Sequence, residues 1–286
     1  MLDASDPEKS AAATAAFADL INAGRQHASA GALEAAHDTY AQAVRMFPLH
    51  PHGYLERGSV RSILGDMTGA VDDLGIAIAL AEPNEDMLRA HFNRGSALLE
   101  IRQSPTAALH LEVAAAAGVD DADRLLARAR TEAARQSNAS ASAAQASCAR
   151  GFELLPHKPL VALACFEDAR RLDGDLLWAV HGAGQANGAA RRPHHARKAF
   201  GEVLQRGADG GMRAEALFNR AALLPADADE ADREQARADL EACLEIAEDP
   251  AIPFPPTADP IQADAMRDAI LAKLAAIAAP GSNQQA

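Results

Sequence analysis

Aromatic residues are scarce in this sequence: they make up 4% of 286 residues, with one tryptophan and two tyrosines. Runs in which Val, Ile or Tyr alternate with polar residues, the mark of a half-buried strand, are missing throughout. A β-rich fold is thereby excluded. Cysteine occurs only at Cys148, Cys165 and Cys243, too few and too unevenly spaced for a disulfide framework or a Cys-x-x-Cys site. No uncharged apolar stretch approaches the roughly 20 residues that a membrane-spanning helix needs. The opening MLDASDPEKSAAATAAF is acidic and polar where a secretory signal needs basic residues followed by an apolar run. A cytoplasmic location with reduced thiols is expected. Lysine is nearly absent too, confined to Lys9, Lys158, Lys198 and Lys273. An Arg- and Ala-rich, Lys-poor composition accompanies GC-rich bacterial genomes, which is an association and not physics.

Alanine and leucine fill the gap. Hydrophobic residues reach 49%, and much of that share is alanine, the best helix former and a residue of little bulk. Such a composition suits helices that approach closely through small side chains. Acidic residues outnumber basic ones by 40 to 27, a net charge of −13. A surface of that sign repels phosphate backbones, so nucleic acid is excluded as a partner in favour of a protein or peptide of basic or apolar character.

Small residues recur in register. Ala36, Ala70, Ala107, Ala162, Ala196 and Ala236 are separated by 34, 37, 55, 34 and 40 residues. Four positions after each stand Tyr40, Leu74, Leu111, Phe166, Phe200 and Leu240; three further on come Ala43, Ala77, Ala114, Ala169, Val203 and Cys243. Positions i, i+4 and i+7 share one helix face, so the spacing predicts six buried stripes on six second helices. Gly24, Gly58 and Gly95 precede their stripes by twelve residues each, and Gly151, Gly182 and Ala221 take that place later with small shifts. A mid-helix glycine costs about 1 kcal/mol against alanine and is kept where a neighbouring helix comes close. Gly31, Gly65 and Pro105 mark the turns inside pairs, and Pro48 and Pro83 close the first two.

Gly24…Gly31…Ala36…Tyr40…Ala43…Pro48 resembles the tetratricopeptide repeat pattern, and Tyr54…Gly58…Gly65…Ala70…Leu74…Ala77 is similar. Trp178…Gly182…Ala196…Phe200 has the family's aromatic-then-glycine opening. The resemblance spans about six repeats over residues 17–250 and implies an all-α fold, a right-handed α-solenoid of antiparallel helix pairs. The 55-residue gap divides the repeats into three plus three. A flexible segment, 1–16, would precede an N-terminal lobe, 17–136, of three repeats and a charged capping helix within 121–136. A linker or helix extension, 137–147, then leads to a C-terminal lobe, 148–279, of three repeats and a capping helix at 261–279, and a flexible tail, 280–286. The insertion 225–232 predicts a long turn in the sixth repeat.

In such repeats the first helices line a concave groove that holds a partner segment. That resemblance places Asn22, Arg25, Glu56, Ser59, Arg89, Phe92, Asn93 and Ser96 on the groove of the first lobe. In the second lobe it places Phe152, Leu155, Leu176, Ala179, Phe218 and Asn219 there, a more apolar set. Side-chain amides bond a peptide backbone through both donor and acceptor, and Arg25 and Arg89 suit a carboxylate. The Lys/Asn/Asn/Lys/Arg clamp of chaperone-tail binders is only partly matched, and Glu56 opposes it. The implied function is a scaffold or adaptor, not an enzyme. The alternative is a chaperone or accessory subunit that shields an apolar segment or presents it to a secretion system or enzyme.

Other chemistries find less support. His50-Pro51-His52 and His194-His195 lack an i, i+4 histidine or a nearby cysteine, so exposed turn residues are expected and no metal. Asp227, Asp229, Glu230 and Asp232 lack the glycine and terminal glutamate of a calcium loop and read as a helix cap. No nucleophile elbow, phosphate loop or dinucleotide fingerprint is present, and no cofactor is expected.

Overall fold

A computed structural model describes residues 7–81, 84–135, 139–248 and 260–278; among them are fourteen α-helices and no strand. The chain divides into two compact units, Met1–Gly151 with Glu167–Asp173 and Phe152–Phe166 with Gly174–Ala286. In unit 1, α1 (Pro7–Ser29) packs on α2 (Leu33–Met46), α3 (Pro51–Leu64) on α4 (Met67–Leu80), and α5 (Glu85–Glu100) on α6 (Ser104–Ala116). Next come α7 (Ala122–Ala133), which packs on α6, and α8 (Ala139–Leu154), whose last residues, from Phe152, belong to unit 2. Each first helix also touches the following one, so α1, α3, α5 and α7 form a continuous wall.

Helix α9 (Pro159–Leu172) gives its first residues to unit 2 and its last to unit 1. In unit 2, α10 (Leu177–Ala189) pairs with α11 (Pro193–Gln205), α12 (Gly210–Ala222) with α13 (Glu230–Glu248), and α14 (Pro260–Ala278) packs on α13. Each unit is an all-α stack of antiparallel helix pairs. Local chemistry sets the boundaries. Proline opens α3, α6 and α11, where its missing N–H costs nothing. Asp66 and Asn84 cap α4 and α5, accepting from the Gly69 and Met87 amides at 2.9 Å each.

All six stripes are buried: no residue of the Ala–large–small series exceeds 2% exposure. The glycines face the large member of the stripe. A Cβ on Gly24 would lie 2.3 Å from Tyr40, on Gly58 2.9 Å from Leu74, and on Gly95 2.6 Å from Leu111. In the fifth pair the equivalent position is Gly184, not Gly182: a Cβ on Gly184 would lie 2.7 Å from Phe200, and Gly182 instead makes room for Phe166. The spacing to Ala196 is then twelve residues, as in the first three repeats.

Residues 7–16, expected to be flexible, belong to α1, because KSAAATAA is rich in alanine. Within the stretch 137–147, residues 139–147 continue as α8 for the same reason. Residues 1–6, Pro83, residues 136–138 and the tail 280–286 lie outside the described residues. The insertion 225–232 forms the turn before α13 and its first residues, with Asp229 accepting from the Asp232 amide at 2.8 Å.

Candidate functional site

On the wall of unit 1, Asn22 and Arg25 stand on α1, Glu56 and Ser59 on α3, and Arg89, Phe92, Asn93 and Ser96 on α5. Glu56 is buried and draws both arginines onto one oxygen. Arg25 donates to Glu56 Oε1 through Nε at 3.1 Å and Nη2 at 2.7 Å, and Arg89 Nη2 donates to it at 3.0 Å. Burial opposes the Glu56 charge, but hydrogen bonds and attraction from the two guanidiniums outweigh it and hold the carboxyl below its ordinary pKa. The carboxylate that Arg25 and Arg89 pair is therefore the chain's own. The expectation that they await a partner's carboxylate is corrected accordingly. One turn along, Asn93 Nδ2 donates to Ser59 Oγ at 3.1 Å, and Ser59 and Ser96 donate to the Leu55 and Phe92 carbonyls. Asn22 is exposed.

Beyond Asn93 the wall opens into a pocket of about 320 Å³. Ser59, Ser62 and Ile63 of α3, Phe92, Asn93, Ser96 and Leu99 of α5, Leu125 of α7 and Met67 of α4 line it. A second cavity, about 520 Å³, adjoins it and shares Leu99, Glu100 and Arg128. Its remaining walls are Arg102 of the α5–α6 turn, Ser104 at the start of α6, and Glu132 and Arg135 of α7 and the turn after it. The α3 and α5 lining includes Ser59, Phe92, Asn93 and Ser96, which sequence reasoning placed on the groove; the α7 lining it did not name, having read residues 121–136 chiefly as a charged capping helix. The available signal was Arg102, which falls 37 residues after Gly65, the spacing of the second and third stripes.

In unit 2 the expected groove is only partly assembled. Phe152 stands edge-on to Phe166 at 4.9 Å and to Trp178 at 6.2 Å, and Trp178 is 47% exposed. Leu155 and Leu176 are half-buried in the turns beside them. Ala179 is fully buried and faces no groove, a correction that follows from α10 being enclosed on every face here, with Ala179 through Gly184 all buried. Phe218 packs on the α12–α13–α14 cluster, with the Lys273 ammonium 5.9 Å from its ring, and Asn219 beside it is half-buried.

Behind the wall of unit 1 lies a polar cluster that the sequence did not disclose. Arg94 grips Asp168 through two bonds of 2.6 and 2.7 Å, His110 Nε2 lies 3.1 Å from Asp168, and His91 Nδ1 lies 2.9 Å from His110 Nδ1. Burial lowers the His91 pKa to about 3 and the His110 pKa to about 4, so both rings are neutral. Burial also disfavours the charge of Asp168, yet Arg94 and His110 hold its carboxyl well below the usual range. Cys148, Cys165 and Cys243 are buried, and no group of three or more metal-ligating side chains occurs among the described residues. None of the described helices is long and apolar enough to cross a membrane.

Paired helices, stripes in register and glycines under the large stripe residue make the fold an all-α solenoid of tetratricopeptide-type helix pairs. Solved structures with this kind of repeat are similar over most of their length. The 41-end form of MamA from Desulfovibrio magneticus RS-1 is 21% identical over 66% of this chain and 94% of that one, with a TM-score of 0.37. The TPR2AB domain of yeast Sti1, in a pHSP90 complex, is 12% identical over 93% and 100%, also at 0.37. TTC0263 of Thermus thermophilus is 13% identical over 90% and 99%, at 0.29. At these scores the likeness says nothing of a partner. No protein-family model matches the chain, and no curated protein does.

Proposed function

We propose that this chain is a protein-interaction scaffold whose groove between α3, α5 and α7 receives a peptide or helical segment of a partner protein. One observation carries the reading: the 320 Å³ pocket joins apolar walls to the Ser59–Asn93 pair on one face of the first helices. Apolar walls supply affinity and the amide fixes a backbone, the usual division of labour in a recognition groove. The reading assigns no catalysis, cofactor or metal. Exposed Trp178 beside Phe152 favours a second reading for unit 2, shielding of an apolar partner segment in the manner of a chaperone or accessory subunit.

Affinity capture with mass spectrometry tests both readings, using the wild type, the Phe92→Ala/Asn93→Ala variant and the Trp178→Ala variant. The first variant is expected to lose an interactor that the second retains. Survival of every interactor in both, with melting unchanged, sinks the groove assignment.

A further inference from the structure

The two ends of the unit 1 groove differ in how their charge is satisfied. At the α1 end Arg25 and Arg89 are already spent on Glu56. At the α7 end Arg128 is spent as well, donating to Glu132 at 2.8 Å and to Glu100 at 3.3 Å, while Ser104 donates to the other Glu132 oxygen at 2.8 Å. Arg102 and Arg135 line the same cavity; neither guanidinium makes a hydrogen bond or a close ion pair among the described residues, and Arg135 acts on the Glu132 carboxylate only through space. Three cations there face two anions, leaving one positive charge on a chain whose net charge is −13. Arg102 moreover holds a left-handed backbone, φ 61°, at the turn where the earlier pairs use Gly31 and Gly65. Arg191 keeps the same conformation, φ 58°, at the matching turn of the fifth pair, so it is the place of Arg102 in the charged cavity, not its backbone, that singles it out.

Resting on the peptide-groove reading, we propose that the groove selects a segment in which a bulky apolar side chain is followed within a few residues by Asp or Glu. The apolar group sits against Ile63, Phe92 and Leu125, and Arg102 and Arg135 receive the carboxylate. The shared walls of the two cavities place these subsites side by side. Guanidinium–carboxylate bonds are charge-assisted, and since both arginines are exposed they would set which segments are chosen while the apolar pocket holds them.

Random segments displayed with both ends fixed, selected on the full chain, test this directly. Enriched segments are expected to carry the apolar–acidic pair. In the R102G/R135A variant the acidic preference should vanish and affinity for the best segment fall about tenfold. R102G removes the charge and relaxes the turn, so the variant should melt no earlier than wild type. Enrichment without an acidic preference overturns the proposal, as does a preference that survives R102G/R135A, or binding only of segments with a free C-terminal carboxylate. F92A/N93A separates the two levels. If it abolishes binding and R102G/R135A changes nothing, the groove stands and the acidic specificity falls. If no segment is enriched on the wild type, the groove reading falls and takes the proposal with it.

Discussion

Arg102 at φ 61° and Gly95 under Leu111 show single residues held against their intrinsic preference. A left-handed backbone costs an L side chain roughly 1–2 kcal/mol. Glycine gives back roughly 0.5–1 kcal/mol of that through the freedom of its unfolded chain. Arg102→Gly is therefore expected to stabilise the protein, on the order of 0.5 kcal/mol in urea titration; a clear loss would mean that the arginine anchors its turn. Gly95→Ala runs the other way. Alanine gains about 1 kcal/mol of helix propensity, but its Cβ would meet Leu111 Cγ at 2.6 Å and the Ala107 carbonyl oxygen at 3.3 Å. The carbonyl belongs to α6 backbone and cannot yield cheaply, and overpacking of that kind costs about 1–3 kcal/mol. A lowered melting temperature is expected, and a raised one would show that α5 and α6 separate without penalty.

The helix pairs are also joined by an ion-pair lock, repeated where the sequence allows. Arg57 of α3 grips Asp73 of α4 at 2.7 and 2.6 Å, and Arg220 of α12 grips Asp239 of α13 at the same distances. Each arginine stands just before the small residue of its first helix, and each aspartate just before the large residue of the stripe. In the third pair Arg94 keeps the arginine's place while the aspartate's place holds His110; Asp168 of α9 then completes the lock. Asp73→Ala should destabilise by about 3–5 kcal/mol, the usual cost of orphaning one member of a buried pair, measured as a shift in denaturant midpoint. A shift below about 1 kcal/mol would show that Arg57 simply swings to water. Such locks explain what the sequence could and could not tell. The stripes were legible because a period of 34 residues and a face of i, i+4, i+7 are properties of one chain direction. The recurrence of Phe-Asn-Arg at 92–94 and 218–220 was visible too, but not that its arginine points inward to a lock. Which carboxylate lies opposite Arg25, Arg89 or Arg94 depends on which helix faces meet, and Glu56 and Asp168 are 31 and 74 residues away in the chain.

Three histidines buried neutral give the molecule as a whole an acid limit, and their placement divides it between the units. His91 and His110 lie in unit 1, and His181, lowered to about 4 by burial, lies in unit 2 among Trp178, Phe200 and Glu215. Their folded pKa values stand below the ordinary 6.5. The stability they allow is therefore complete above pH 6.5 and declines as pH falls from 6.5 towards 4, because the unfolded chain takes up protons that the folded one refuses. Each such group contributes a slope of at most about 1.4 kcal/mol per pH unit, so the slope in unit 1 approaches twice that in unit 2. Glu215 widens the difference. Burial raises its pKa, so the folded form takes up that proton more readily than the unfolded one and offsets part of the His181 loss in acid. Below the ordinary carboxylate range Asp168 adds a further loss to unit 1, since its folded carboxyl resists protonation. Trp178, the only tryptophan, reports unit 2 alone and stands 5.9 Å from the His181 ring. In urea at pH 7 and again near pH 5, far-ultraviolet circular dichroism and tryptophan fluorescence are expected to part company. The helical signal should lose midpoint faster on acidification than the fluorescence does. His181→Leu should flatten the pH dependence of the fluorescence midpoint and raise it at pH 5, since the neutral ring loses only a 3.3 Å approach of Nε2 to Glu215 that lacks hydrogen-bond geometry. Midpoints that fall together, or a His181→Leu variant as acid-sensitive as wild type, would refute the assignment of the acid limit to these rings.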